Sequence, residues 1–306
     1  MITAEPITIT DSMITSTTVP YPDTGETAWV SGTIYAKGAK VSYLINGVYH
    51  RFESLQDSNQ AHPPAKYPNE NQWWLDLGYV NKMAAFQNDR NTQTVTASPY
   101  VVAIDPNTRF GAIAVGNVQA DTITVEVLSG AEVIFTQTKK LKARNVYDWF
   151  SWTYEPFYQS TGTVFTNLPI NANNTFKITI SDGSGTVKIG SIIAGLPLDI
   201  GRAQYGTGIR RQNFSTFERD EFGETKITIR RNIPRVSYSL IIDKKKVNNV
   251  QRLLDKLNGI VTFFAGIVET EHGYFDSVFL VGLYKDVSYS LDFPDYARAD
   301  IEIEAI

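Results

Sequence analysis

Thr122-Ile123-Thr124-Val125-Glu126-Val127-Leu128, closed by Ser129-Gly130, decides the fold class. Polar and apolar residues alternate along the stretch, and in an extended strand every second side chain shares a face. Ser-Gly then supplies a turn. Outward from there, Thr175–Ile180 alternates in the same way and runs into Ser181-Asp182-Gly183-Ser184-Gly185. Val187-Lys188-Ile189 follows as the return strand of a hairpin would. Lys226–Arg230, Arg235–Ile242 and Asp300–Glu304 repeat the period towards the C-terminus. Sixteen Tyr, sixteen Phe and many Val, Ile and Thr favour strands, and 21 Gly favour turns. A mainly β chain is expected.

One segment has a different period. Between Asp243 and Gly259 the apolar residues are Val247, Val250, Leu253, Leu254 and Leu257, the face of an amphipathic helix over 243–258. Asp243 suits its N-cap and Gly259 its C′ position. A buried strand, Ile260–Ile267, should follow, and Asn81–Phe86 suits a second, shorter helix. Composition divides the chain further. Residues 1–20, thin in aromatics and rich in Thr and Ser, read as an extended arm. Residues 21–95 carry three of the five tryptophans and a loop with Pro63, Pro64 and Pro68, and read as a small aromatic-rich β module. Asn88–Pro99 is polar and reads as a linker. A β-sandwich-like domain over 100–201 and a C-terminal β domain with one amphipathic helix, a mixed β/α assembly domain over 202–306, complete the expected plan.

The same composition removes whole classes of chemistry. With no cysteine there is no disulfide, thiolate nucleophile or Cys-based metal site. His50, His62 and His272 are too widely spaced for a His-rich metal site, so no metal and no cofactor are expected. A balance of 28 Lys and Arg against 32 Asp and Glu argues against nucleic acid as a partner. The longest apolar stretch, Gly259–Val268, is too short for membrane insertion. Glu5 and Asp11, with no basic or apolar region around them, do not read as a secretory signal.

Catalytic motifs are sparse. Asp23-Thr24-Gly25 has the aspartic-protease tripeptide but no second such loop to share a proton, and D-T-G is also an ordinary turn. Glu53, Asp57, Asp76, Glu155, Asp220 and Glu221 could supply a glycosidase pair, yet their separation is not readable from sequence. No nucleophile elbow, Walker loop or dinucleotide fingerprint occurs. Asp182–Gly185 lacks the ligand run of a calcium loop. Arg230-Arg231 and Lys244-Lys245-Lys246 suit edge-strand protection and solvated helix ends. No catalytic residue is assigned and the chain is read as a non-enzyme.

The module is more specific. Trp29, Tyr35, Gly38 before Val41, Asn46-Gly47-Val48-Tyr49, Pro63-Pro64 and Trp73-Trp74 occur in an order that resembles the chitin-type carbohydrate-binding module. That resemblance implies a tiny unit held by stacked aromatics, with Trp29, Tyr35 and Tyr49 as its core. Sugar-binding members carry surface aromatics just after the hairpin Tyr; here the stretch is His50-Arg51-Phe52-Glu53-Ser54-Leu55. Phe52, Trp73 and Trp74 are therefore the candidate carbohydrate-binding residues, and alternation sends only one of the two tryptophans inward.

Trp74, Gly78, Asn81 and Ala85-Phe86 then resemble the end of such modules in tailed-bacteriophage proteins. Trp149 to Tyr154-Glu155-Pro156 is similar to an aromatic segment of those chains. Gly190, Gly195, Gly201 and Gly206 resemble their glycine-punctuated strands, and Asp220-Glu221-Phe222-Gly223 before Arg230-Arg231 a further signature. Leu253–Gly259, Val281-Gly282 through Asp286 and Ile301–Glu304 complete an ordered set over roughly residues 29–306. The resemblance implies a virion structural protein of the tail tip or baseplate, of the distal-tail type, made in the host cytoplasm. It implies a trimeric or hexameric ring of itself, other tail and baseplate proteins as partners, and host surface polysaccharide as a further one. Asp220, Glu221, Arg230 and Arg231 are the candidate subunit-interface residues. A carbohydrate- or receptor-binding tail protein is the alternative, and a glycoside hydrolase or depolymerase the third.

Overall fold

The computed structural model describes residues 1–64, 72–89, 92–144, 146–183, 185–268, 274–291 and 293–306. Pro68, Asn145, Ser184 and His272 lie outside the described residues. The chain is mainly β, 52% strand and 9% helix, as the alternation requires. Its three α-helices among the described residues are short: α1, Asn81–Ala84; α2, Trp149–Tyr154; and α3, Val247–Lys256. Two compact units form, residues 7–195 and residues 1–6 with 196–306.

In the unit of residues 7–195, a five-stranded antiparallel sheet runs in the order Glu132–Lys140, Thr122–Ser129, Asn174–Ser181, Tyr100–Ile104, Ile14–Thr17. A second sheet joins Gly162–Phe165, Ala112–Gln119 and residues 186–195, with Thr94–Ala97 paired to residues 186–189. The alternating side chains Ile123, Val125, Val127, Phe176, Ile178 and Ile180 meet Ile113, Val115, Val187 and Ile189 in one dry core. Two readings are corrected here. Residues 175–180 and 187–189 are not hairpin partners: the first pair with Thr122–Ser129 and Tyr100–Ile104 in one sheet, the second with Thr94–Ala97 and Ala112–Gln119 in the other. Both strands thus present apolar faces to the same core from opposite sides. Nor is 88–99 only a linker: Thr94–Ala97 is a strand, clamped to α1 by the Asn81 amide, which bonds both the N–H and the C=O of Val95 at 2.8 Å.

The module lies in the same unit. Its sheet runs Thr27–Ala28, Lys40–Ile45, Val48–Ser54, Trp74–Tyr79, with Asn46-Gly47 closing the central hairpin. Tyr35, Val41, Phe52 and Trp74 form its core, flanked by the half-buried Trp29, Tyr43 and Trp73.

In the other unit the order is Ile2–Pro6, Thr262–Ala265, Phe279–Ser290, Tyr296–Ala305, Asn232–Asp243, Arg202–Ala203, with Gly208–Asn213 also paired to Asn232–Asp243. The N-terminal arm is therefore corrected to sheet: Ile2–Pro6 pairs with Thr262–Ala265 here, and Ile14–Thr17 is a strand of the first unit. Threonine is tolerated in such buried strands because its hydroxyl finds a carbonyl. Thr3 donates to Phe263 O at 2.7 Å and Thr262 to Ala4 O at 2.6 Å. Helix α3 buries Val247, Val250, Leu253 and Leu254, with Leu257 just beyond, against Tyr238, Leu240, Phe264 and Ile301. Asp243 is not its N-cap. It remains the last residue of its strand, opposite Tyr296, and its carboxylate and carbonyl accept the N–H groups of Lys245 and Lys246. The helix starts one turn later as a result.

Candidate functional site

After Asn213 the chain leaves its sheet and forms a two-stranded ribbon, Thr216–Arg219 against Thr225–Thr228. Asp220 shapes the tip: its Oδ1 accepts from the N–H of Phe222 at 3.0 Å and of Glu224 at 2.8 Å. Gly223, at φ +82°, completes the turn in a region that favours glycine. Pairing sets the faces. Phe217 opposes Ile227 on one side, while Glu218 opposes Lys226 on the other. Phe217, Phe222, Ile227 and Ile229 are 55–91% exposed. The tip carries Asp220, Glu221 and Glu224 beside the single cation Arg219, and the root carries Arg230 and Arg231 with Arg210 and Arg211 of the neighbouring strand. The four interface candidates thus fall at opposite ends of one exposed element. Asp220 already serves the turn. The ion pairs of the following strand belong to Arg235, with Glu302 and Glu304.

The carbohydrate candidates separate. Phe52 and Trp74 are buried, 0% and 1% exposed, so neither can stack on a sugar; this corrects both. Alternation along Val48–Ser54 turns Phe52 inward with Val48, His50 and Ser54. Trp74 lies edge-on to Tyr35 at 5.3 Å and donates from its indole N–H to His62 O at 2.7 Å. Trp73 is half-buried and stacked on His62, ring centroids 3.9 Å apart and planes within 9°. Of the expected core, Tyr35 is buried, whereas Trp29 is only partly so, edge-on to Tyr43. Tyr49 faces away from Phe52 and packs with Tyr21, Val48, Tyr79 and Met83.

No known protein family, curated protein or solved structure matches the chain.

Among the described residues no three His, Cys, Asp or Glu side chains gather as metal ligands, and no helix is long and apolar enough to cross a membrane. Three of the acids that could supply a hydrolytic pair, Asp57, Asp76 and Asp220, have local structural tasks. Asp57 accepts the Lys37 N–H at 2.9 Å, and the buried Asp76 accepts the Gly78 N–H at 2.7 Å beside His50. The D-T-G turn is tied down too: Asp23 pairs with Arg51 at 2.6 Å, and Glu26 takes the same guanidinium. Burial pushes the Glu26 carboxyl above its ordinary range despite Arg51.

Sequence reasoning missed one surface. Helix α2 is capped by Asp148, whose Oδ1 accepts the Ser151 N–H at 2.7 Å while Ser151 Oγ accepts the Asp148 N–H at 2.9 Å. These bonds hold the Asp148 carboxyl below the usual range. Ser151 is buried, yet Tyr147, Trp149, Phe150, Trp152 and Tyr154 around it are 57–84% exposed. An aromatic run reads as core in a sequence. Its density around a capping box, stopped by Pro156, was the available signal.

Proposed function

We infer that this chain is a structural subunit of a bacteriophage tail tip or baseplate, forming or decorating an oligomeric ring in the virion. The role is architectural rather than catalytic. The phage context rests on the ordered sequence resemblance. The assembly role rests on one observation: the exposed ribbon 214–231, apolar on one face, acidic at the tip and basic at the root. A two-stranded ribbon alone is marginal in water, so its apolar face favours a partner. Opposite charges at the two ends of one element suit a head-to-tail contact between identical copies. Such a contact closes into a ring when the rotation permits.

Mass photometry of the purified chain tests this across a salt series. The expected result is a closed trimer or hexamer that loosens when Arg230 and Arg231 are both changed to Glu, most strongly at low salt. A monomer under all conditions would overturn it. A second reading, attachment to host polysaccharide, is favoured only by the rigid His62–Trp73 stack. One aromatic contributes about 1 kcal/mol, so a single copy would bind sugar no better than millimolar and a ring would act by avidity. Titration with chito-oligosaccharides and host polysaccharide checks it.

A further inference from the structure

We propose that the open edge of Thr94–Ala97 is an acceptor site for an extended peptide segment of a partner protein, held shut in the free chain by the Asn81 amide. The register fixes which backbone groups are spare. On its inner edge this strand pairs with residues 186–189, and the Ser98 N–H continues that pairing to Gly185 O at 3.0 Å. Alternate residues of an antiparallel strand turn their N–H and C=O to opposite edges. Thr94 and Thr96 share the phase of Ser98, so Gln93, Val95 and Ala97 turn theirs outward. Val95 has the same phase: Asn81 Oδ1 accepts its N–H at 2.8 Å and Asn81 Nδ2 donates to its carbonyl at 2.8 Å. One side-chain amide thus makes the two bonds that a residue of an added strand would make. Among the described residues no hydrogen bond reaches the outward backbone groups of Gln93 and Ala97.

A cleft of about 730 Å³ lies along this edge, lined by Gln93, Val95 and Ala97 and by Leu77 of the module. Its size falls within the roughly 300–1,000 Å³ of small-ligand sites. The chemistry selects the occupant. Backbone donors and acceptors recurring every second residue, about 6.6 Å apart, are matched by another backbone in extended form. Leu77 and Val95, 40% and 43% exposed, offer apolar contact to a side chain of that strand. Asp23 and Arg51 also line the cleft but pair with each other at 2.6 Å. The aromatic ring at the cleft, Tyr79, is buried and gives a sugar no platform for stacking. Asn81 is suited to act as the gate. It is the first residue of α1, and its own N–H is held by Asp23 at 3.1 Å. Its side chain leaves Val95 by rotation while the helix start stays anchored. The incoming strand then takes over both Val95 bonds and adds those of Gln93 and Ala97.

Hydrogen exchange of the full chain tests the site, with an acetylated, amidated pentapeptide of alternating threonine and valine ending in lysine as the probe. The expected result is saturable protection of the Ala97 amide. Asn81→Ala removes the competing amide, so it should tighten peptide binding about tenfold or more while lowering the melting temperature. Asn81→Asp keeps the acceptor and loses only the donor, and it should tighten binding less. On the unaltered chain, N-methylating one alternate set of peptide amides should abolish protection, and methylating the other set should leave it. Weaker or unchanged binding by Asn81→Ala would overturn the assignment, because a clamp that serves only the fold does not compete with a ligand. So would equal loss from both methylation patterns, or an Ala97 amide unprotected in every variant. Protection of the same amide by chitotriose but not by the peptide would assign the cleft to sugar instead.

Discussion

Phe217 lies directly opposite Ile227 across the ribbon, and both side chains are more than half exposed. Cross-strand apolar pairs stabilise a sheet when a second layer covers them; this pair projects into solvent. Replacing them by Ser and Thr should change subunit stability by no more than about 0.5 kcal/mol, as for other exposed sites. The same double variant should weaken ring assembly by about 2 kcal/mol or more. Thermal melting and mass photometry on one preparation separate the two effects. A fall in melting temperature without loss of assembly would show that the pair serves the fold instead.

Leu254 is 2% exposed on the buried face of α3, and its carbonyl accepts the Tyr284 hydroxyl at 2.8 Å. Leu254→Asp puts an unpaired carboxylate among Tyr238, Leu240 and Ile301 and should cost about 4 kcal/mol or more. Lys256→Ala on the exposed face loses only the surface pair with Glu5 at 3.3 Å. It should cost less than about 1 kcal/mol. Denaturant titration of the two variants gives the contrast, and equal midpoints would mean that α3 is not docked as described.

Those α3 positions were legible in the sequence because burial imposes a period. Val247, Val250, Leu253, Leu254 and Leu257 follow the helical one, and Phe176, Ile178 and Ile180 the strand one. Partnership was not legible. A glycine-rich turn after Ile180 has the same composition whether it returns the chain to its own sheet or carries it across a core. Thr3 and Ala4 of the short strand Ile2–Pro6 are buried against a strand some 260 residues away, Thr262–Ala265, with which they make hydroxyl bonds. At the site, alternation showed that one of Trp73 and Trp74 turns inward, but not which. Exposure of α2 was hidden for the opposite reason: Trp149 and Phe150 have core residue types and lie on the surface. Composition reports hydrophobicity, and only the fold reports whether anything covers it.

Gly282 sits where two strands approach closely. A Cβ on it would lie 2.0 Å from Glu304 O and 2.9 Å from Ala305 Cα, both backbone atoms that cannot swing aside. Gly282→Ala must therefore push Phe279–Ser290 away from Tyr296–Ala305 near its Ala305 pairing. A cost of about 3 kcal/mol is expected, at the upper end for overpacking. Gly130→Ala, at a turn where a Cβ meets nothing within 4 Å, should cost less. Its φ of +62° still carries about 1 kcal/mol of backbone strain. Comparable melting temperatures for the two would refute the close approach.

Asp148 makes α2 sensitive to acid. Its carboxyl is held below the ordinary carboxylate range, first by the Ser151 N–H and then by the Ser151 side chain. A carboxylate depressed in the folded state contributes stability that is fully present above its unfolded value. That contribution is lost as the pH falls through the folded value. The aromatic helix should therefore be intact at neutral pH and fray only below about pH 4. Asp148→Asn retains an oxygen acceptor for the Ser151 N–H and removes the titration, so it should flatten the acid limb; Asp148→Ala should leave the helix frayed at every pH. The edge-to-face packing of Trp149 and Trp152 provides the readout, as a near-ultraviolet dichroism signal that vanishes when the helix opens. An identical acid midpoint in the wild type and the Asn variant would exclude Asp148 as the titrating group.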